Sequence, residues 1–134
     1  MLKEKTKDIT VNNQRYRLTR MDARTGSYVA AKVALMCAPM LGQGAVSQAD
    51  VASVLPQLNR REFDELQTVL LKTVQHLKTV AGDELPEPVL KANGDFVEEE
   101  LAYDVSAVIS LTVHAMMFNC GSFFAEAGFM TGLA

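Results

Sequence analysis

Apolar and polar positions along the chain change period several times, and each change marks an element. From Lys7 to Val11 they alternate, with Ile9 and Val11 on one side. From Arg15 to Thr19 they alternate again, with Tyr16 and Leu18 together. Asn12-Asn13 lies between the two runs, and asparagine accepts the positive φ of a tight turn. Residues 6–20 therefore predict a β-hairpin. Two strands alone are marginal in water, so these four apolar side chains must rest on something else.

Helical spacing takes over next. Asp22, Thr25 or Ser27 suits the cap of a helix running to about Met36, and Pro39 ends it. Ala30, Ala31 and Ala34 on that helix allow a neighbouring helix to approach closely. Gly42-Gln43-Gly44 is a break. Ser47-x-x-Asp50 opens a short helix carrying Val51, Val54, Leu55 and Leu58, limited by Pro56. Asn59-x-x-Glu62 is a better capping box, and Phe63, Leu66, Leu70, Val74, Leu77 and Ala81 follow at helical spacing up to Gly82. Pro86, Pro88 and Gly94 predict a surface loop over residues 83–95.

The last pattern is the most apolar. Residues 101–124 hold no Lys or Arg, and Asp104 is their one carboxylate. Leu101, Val105, Val108, Leu111, Ala115 and Phe118 form one face, while Ile109, Val113 and Met116 stand among Ser106, Ser110 and Thr112 on the other. Such a helix needs cover on more than one side. The expected fold is mainly α (α+β): an N-terminal β-hairpin, then a three- to four-helix bundle with a long apolar C-terminal helix. The expected organisation is a single domain over 1–134, made of the hairpin 6–20, a helical body 22–118 and a C-terminal tail 119–134.

Composition narrows the classes. Apolar residues at 49% and charged residues at 22% indicate a globular chain. A net charge of −3 supplies no basic field for nucleic acid. The charged start MLKEKTKD is no signal peptide, and the apolar run at 105–118 is too short and polar to span a membrane. Cys37 and Cys120 are far apart in apolar surroundings, which favours two buried thiols and a cytoplasmic protein.

Candidate chemistry is sparse. Phosphate- and dinucleotide-binding glycine motifs are missing. His76 and His114 lack a second ligand at i+4, and neither cysteine has a CxxC partner, so no metal site and no cofactor are expected. Asp104 reads either as a perturbed carboxylate in a cleft or, preferably, as an exposed or ion-paired residue. A Cys120–His114 nucleophile is the least favoured reading, because a thiol beside phenylalanines is usually inert packing. Met36, Met40, Met116 and Met117 read as core filler. Phe123, Phe124, Phe129 and Met130 lie in a Gly-containing tail that cannot bury them by itself, so they either fold back on the core or make an apolar contact for another chain. The residues assigned to protein binding are Leu111, Phe118, Phe123 and Phe124; no catalytic residue is assigned.

Several stretches together carry a resemblance. The hairpin sequence NNQRYRLTRMDA, the run Arg24-Thr25-Gly26-Ser27 before an alanine- and lysine-bearing helix, Pro39, Phe96 and the closing Asn119-Cys-Gly-Ser-Phe-Phe124 resemble tail assembly chaperones of long-tailed bacteriophages. The resemblance implies a non-enzymatic protein that holds the tape measure protein while tail tube protein assembles around it. It also implies work in the host cytoplasm, absence from the mature virion and, in many phages, a frameshifted longer form. A homo-oligomer is expected. The competing readings are a small helical adaptor of other origin and a Cys120/His114 hydrolase.

Overall fold

A computed structural model describes residues 5–37, 53 and 55–131, with side chains at 5–33, 53 and 55–121. Strands β1 (Thr6–Val11) and β2 (Gln14–Thr19) lead to helix α1 (Ala23–Cys37). A 3-10 turn (Leu55–Gln57), helix α2 (Arg60–Leu71) and strands β3 (Val74–Val80) and β4 (Asp83–Pro88) follow. The chain closes with a short helix α3 (Glu99–Ala102) and helix α4 (Val105–Thr131). The strands form one antiparallel sheet in the order β1-β2-β3-β4.

This α+β architecture replaces the expected helical bundle. The helix expected from Asn59 to Ala81 stops at Leu71, and β3 takes its second half. Val74, Leu77 and Ala81 continue the helical spacing of Leu70, but Val74, Thr79 and Val80 are β-branched and favour a strand. Ala81 and Gly82 then take φ of 53° and 88°, the positive angles of a type I′ hairpin turn. The expected loop at 83–95 is strand β4 over its first half. Pro86 and Pro88 are tolerated because β4 is an edge strand. The single helix expected over 101–124 is also divided. Asp104 interrupts it, accepting a bond from the Ala107 amide at 3.1 Å and so capping α4.

Other ends follow local chemistry. Asn12 and Asn13 turn the first hairpin with φ of 49° and 65°. Asp22 caps α1, its carboxylate accepting from the Thr25 amide at 2.9 Å and the Thr25 hydroxyl at 2.7 Å. Asn59 caps α2 by accepting from the Glu62 amide at 2.8 Å. The expectations for Pro39, Met40, Gly42-Gln43-Gly44 and Ser47-x-x-Asp50 lie outside the described residues, as do the side chains of Met36, Cys37, Phe129 and Met130.

Helix α4 is the post against which the rest packs. Leu111, Thr112, Ala115 and Met116 are fully buried. The Thr112 hydroxyl donates to the Val108 carbonyl at 2.7 Å and accepts from Gln67 of α2 at 3.2 Å, so its buried oxygen is satisfied. At one end, the Asn12 amide group donates to Asp104 and Ser106. At the other, Arg20 donates to the Phe118 carbonyl, and the Met21 amide donates to Asn119 Oδ1 at 2.9 Å. The helix therefore lies lengthwise along the first hairpin, antiparallel to β1. Its 27 residues span roughly 40 Å, about twice a six-residue strand, so its C-terminal half runs past the hairpin base.

The register assigns the two sheet faces. Ile9, Val11, Tyr16, Leu18, Val74 and His76 share the inner face, toward the helices. The outer face carries an ion ladder: Arg17 pairs with Asp8 at 2.9 Å, while Arg15 reaches both Asp8 at 3.5 Å and Glu84 of β4. By register Leu77 lies between Arg15 and Pro86 on that face, and it is buried there.

Candidate functional site

The first concave feature lies where the two hairpins meet α3. It is a pocket of about 260 Å³ lined by Asn12, Gln14, Tyr16, His76, Glu98 and Asp104, among others. Strand pairing sets Tyr16 opposite His76, and their rings stack with centroids 4.9 Å apart. His76 meets an oxygen on each side: Nδ1 faces Glu98 Oε1, and Nε2 lies 3.0 Å from Gln14 Oε1. Burial raises the Tyr16 hydroxyl above its ordinary value, and the charges of Glu98 and Asp104 add to this. The Ala107 amide holds the Asp104 carboxyl below its ordinary value, helped by Ser106 and Asn12. Asp104 thus lines a pocket and is also a helix cap, and its charge serves the helix end. The sequence reading missed this cluster because it placed His76 on a helix; the alternation around His76 was the available signal.

The second feature is a broad groove of about 780 Å³ between α2 and residues 91–103, with Arg60, Asp64, Lys91, Asp95 and Glu99 mixed among Phe96 and Tyr103. Several apolar side chains also stand in solvent. Tyr103 and Val105, at the α3–α4 junction, are 80% and 76% exposed, and Val80 and Leu85 are 52% and 50% exposed. Val80 and Leu85 share the inner face of the second hairpin near its turn. With both side chains half open to solvent, the inner face of the sheet is exposed at that tip.

The residues assigned to protein binding are spread over different surroundings. Leu111 is fully buried in the core. Phe118 is half-buried, with the Arg20 guanidinium 4.0 Å above its ring centroid. Phe123 and Phe124 are on α4, and their side chains lie outside the described residues.

The cysteine and histidine weighed as a nucleophile pair are not assembled as one. They are six residues apart on α4, a spacing that points side chains to different faces. Cys120 is 1% exposed, and burial pushes its thiol up to about 11 although the Arg20 charge pulls it down. Burial, and then the Lys7 charge, push the His114 ring below its ordinary value. Among the described residues no group of three His, Cys, Asp or Glu side chains is placed to hold a metal ion. No described helix is long and apolar enough to cross a membrane.

The geometry defines a small α+β protein whose described surface offers apolar contacts and ion-paired faces. A family model described as phage tail assembly chaperone protein, TAC, matches residues 12–132, which is most of the chain. The chain belongs to that family of phage tail assembly chaperones, and the family implies interaction with phage tail proteins. Comparison with curated proteins and with solved structures finds no match.

Proposed function

We propose that this chaperone binds the tape measure protein and keeps it soluble while tail tube protein assembles around it. It does so by contact, without catalysing a reaction, in the host cytoplasm, and it is not carried into the mature virion. Family membership over residues 12–132 carries the reading. The uncovered side chains of Val80, Leu85, Tyr103 and Val105 support it, because exposed apolar surface is the usual means of holding an apolar client. The client contacts are the second hairpin's tip together with the far part of α4, where Phe123 and Phe124 continue from Phe118. Leu111 backs this helix from the core and holds it in place. The test is co-expression of the chain with the tape measure protein of the same phage. The soluble client fraction should rise several-fold and fall back when Val80 and Leu85 are both changed to Ser. Equal client solubility with and without the chain would end the proposal.

A further inference from the structure

The pocket where the two hairpins meet α3 contains polar groups that the fold itself does not use. Tyr16 is 4% exposed, yet its hydroxyl makes no hydrogen bond to any described residue. The charges of Glu98 and Asp104, which line the same cavity, both act on that hydroxyl, so it faces into the pocket. A buried hydroxyl without a partner costs stability, and phenylalanine would fill the same place without that cost. Glu98 is half used as well. Its side-chain contacts, to His76 Nδ1 and at 3.9 Å to Lys78, both run through Oε1, which leaves Oε2 without a partner among the described residues. Asp104 caps α4 through Oδ1, while its Oδ2 accepts a long bond, 3.3 Å, from Asn12. Glu100 adds a third carboxylate to the lining, and no Lys or Arg belongs to it. Lys78 is held by Glu87 at 2.5 Å. The cavity thus presents more acceptors and negative charge than the chain itself meets.

We infer that this pocket binds a guanidinium group. A volume of about 260 Å³ is small for a drug-sized ligand and suits a single head group. The charge calls for a cation. The acidic side chains and His76 are not grouped closely enough to share one metal ion, so the cation has to reach separate acceptors. An ammonium is a compact point charge, whereas a guanidinium carries five N–H donors in a rigid plane. It can therefore donate in different directions at once, to Glu98 Oε2, to Asp104 Oδ2 and to the Tyr16 oxygen. Tyr16 keeps its own proton while accepting, since burial raises its hydroxyl above the ordinary value. Asn12, Gln14 and Glu100 are exposed while Tyr16 and His76 are buried, so the group enters head first from solvent.

This inference does not rest on the chaperone reading, and it is tested on the isolated chain with small probes. Arginine blocked at both ends stands for an arginine side chain of another polypeptide, and methylguanidinium for a free small molecule. Titration of either, followed by amide NMR, should give saturable shifts at Tyr16, His76 and Ala107 with Kd on the order of millimolar. Tighter binding of the blocked arginine would assign the pocket to a polypeptide partner, and tighter binding of methylguanidinium to a small molecule; either supports the inference. Blocked lysine should bind markedly more weakly than blocked arginine. Tyr16→Phe should weaken binding about tenfold without lowering the thermal midpoint, because the lost hydroxyl had no partner in the free chain. Glu98→Gln should weaken it by about tenfold or more, since it removes a charge-assisted bond. Absence of saturable shifts at the pocket, lysine binding as tight as arginine, or a Tyr16→Phe variant of undiminished affinity would each overturn the inference. If Tyr16→Phe fails to fold, undiminished affinity in Glu98→Gln overturns it instead.

Discussion

The two hairpins of this sheet are built alike and end differently. Each turns on two residues of positive φ, and each contributes strands of six or seven residues. The first has α4 laid along it, and its inner-face residues Val11, Tyr16 and Leu18 are buried. The second is covered at its base, where Val74 and Val89 are buried, and bare at its tip, where Val80 and Leu85 are half exposed. Local turn chemistry sets the shape of a hairpin; what packs against its inner face decides how much of it becomes core. The same face of one sheet thus serves stability at one end and remains free for a partner at the other.

The largest test of this contrast is truncation of leucines on the two hairpins. Leu18→Ala on the covered hairpin, or Leu111→Ala on its cover, should lower the unfolding free energy by about 2–5 kcal/mol. Both side chains are essentially inaccessible to solvent. Leu85→Ala at the bare tip should change it by no more than about 0.5 kcal/mol. Urea denaturation of the three variants measures all of this. Equal losses at Leu18 and Leu85 would mean that the tip is covered after all.

The difference between the hairpins also governs how well each could be read. Asn12-Asn13 between clean alternations marks the first hairpin without ambiguity, and Asp22 and Asn59 mark two helix starts through capping that the structure contains. The second hairpin hides behind two coincidences. Val74 and Leu77 fall at helical spacing from Leu70, although His76 and Lys78 alternate with Gln75 and Thr79 around them. Pro86 and Pro88 look like loop residues until the sheet order makes β4 an edge, where alternate prolines face outward. Leu77 adds to the confusion, since it is apolar and buried on the outer face beneath an ion ladder. The pocket around His76 depends on that sheet order, so it could not be found before it. Asp104 failed as a signal for a different reason. A cap inside an apolar run looks like a lone charge unless the Asp104-x-x-Ala107 bond is drawn.

A change of pH probes the cover of the first hairpin without mutation. Cys120 has its thiol raised from 9.0 to about 11 by burial in the folded chain. Above pH 9 the unfolded chain loses that proton while the folded chain keeps it, so stability falls as pH rises from 9 toward 11. The loss reaches roughly 2–3 kcal/mol at the top of that window. His114 has the opposite sign. Burial lowers it from 6.5, so the unfolded chain gains the proton first and stability falls as pH drops below 6.5. Thermal unfolding across pH 5–11 should therefore show both flanks, and His114→Gln should flatten the acid one alone. An unchanged acid flank in that variant would place its origin in the carboxylates.

The turn of the second hairpin offers the finest comparison. Gly82 has φ of 88° and open space where a Cβ would stand, so any cost of Gly82→Ala is a backbone cost. An L-residue held at positive φ loses about 1 kcal/mol. Ala81, at φ of 53°, already bears that strain. Asparagine tolerates this conformation better, as Asn12 and Asn13 do in the first turn. Ala81→Asn creates an Asn-Gly pair, the preferred type I′ sequence, and should raise stability by a few tenths of a kcal/mol. Chemical denaturation of Gly82→Ala and Ala81→Asn reads both effects. Shifts of opposite sign would show that the two hairpins obey one turn rule and differ in their cover. A loss in Ala81→Asn as well would show instead that the side chain of Ala81 is held by contacts at the tip, and that the tip is less bare than Val80 and Leu85 suggest.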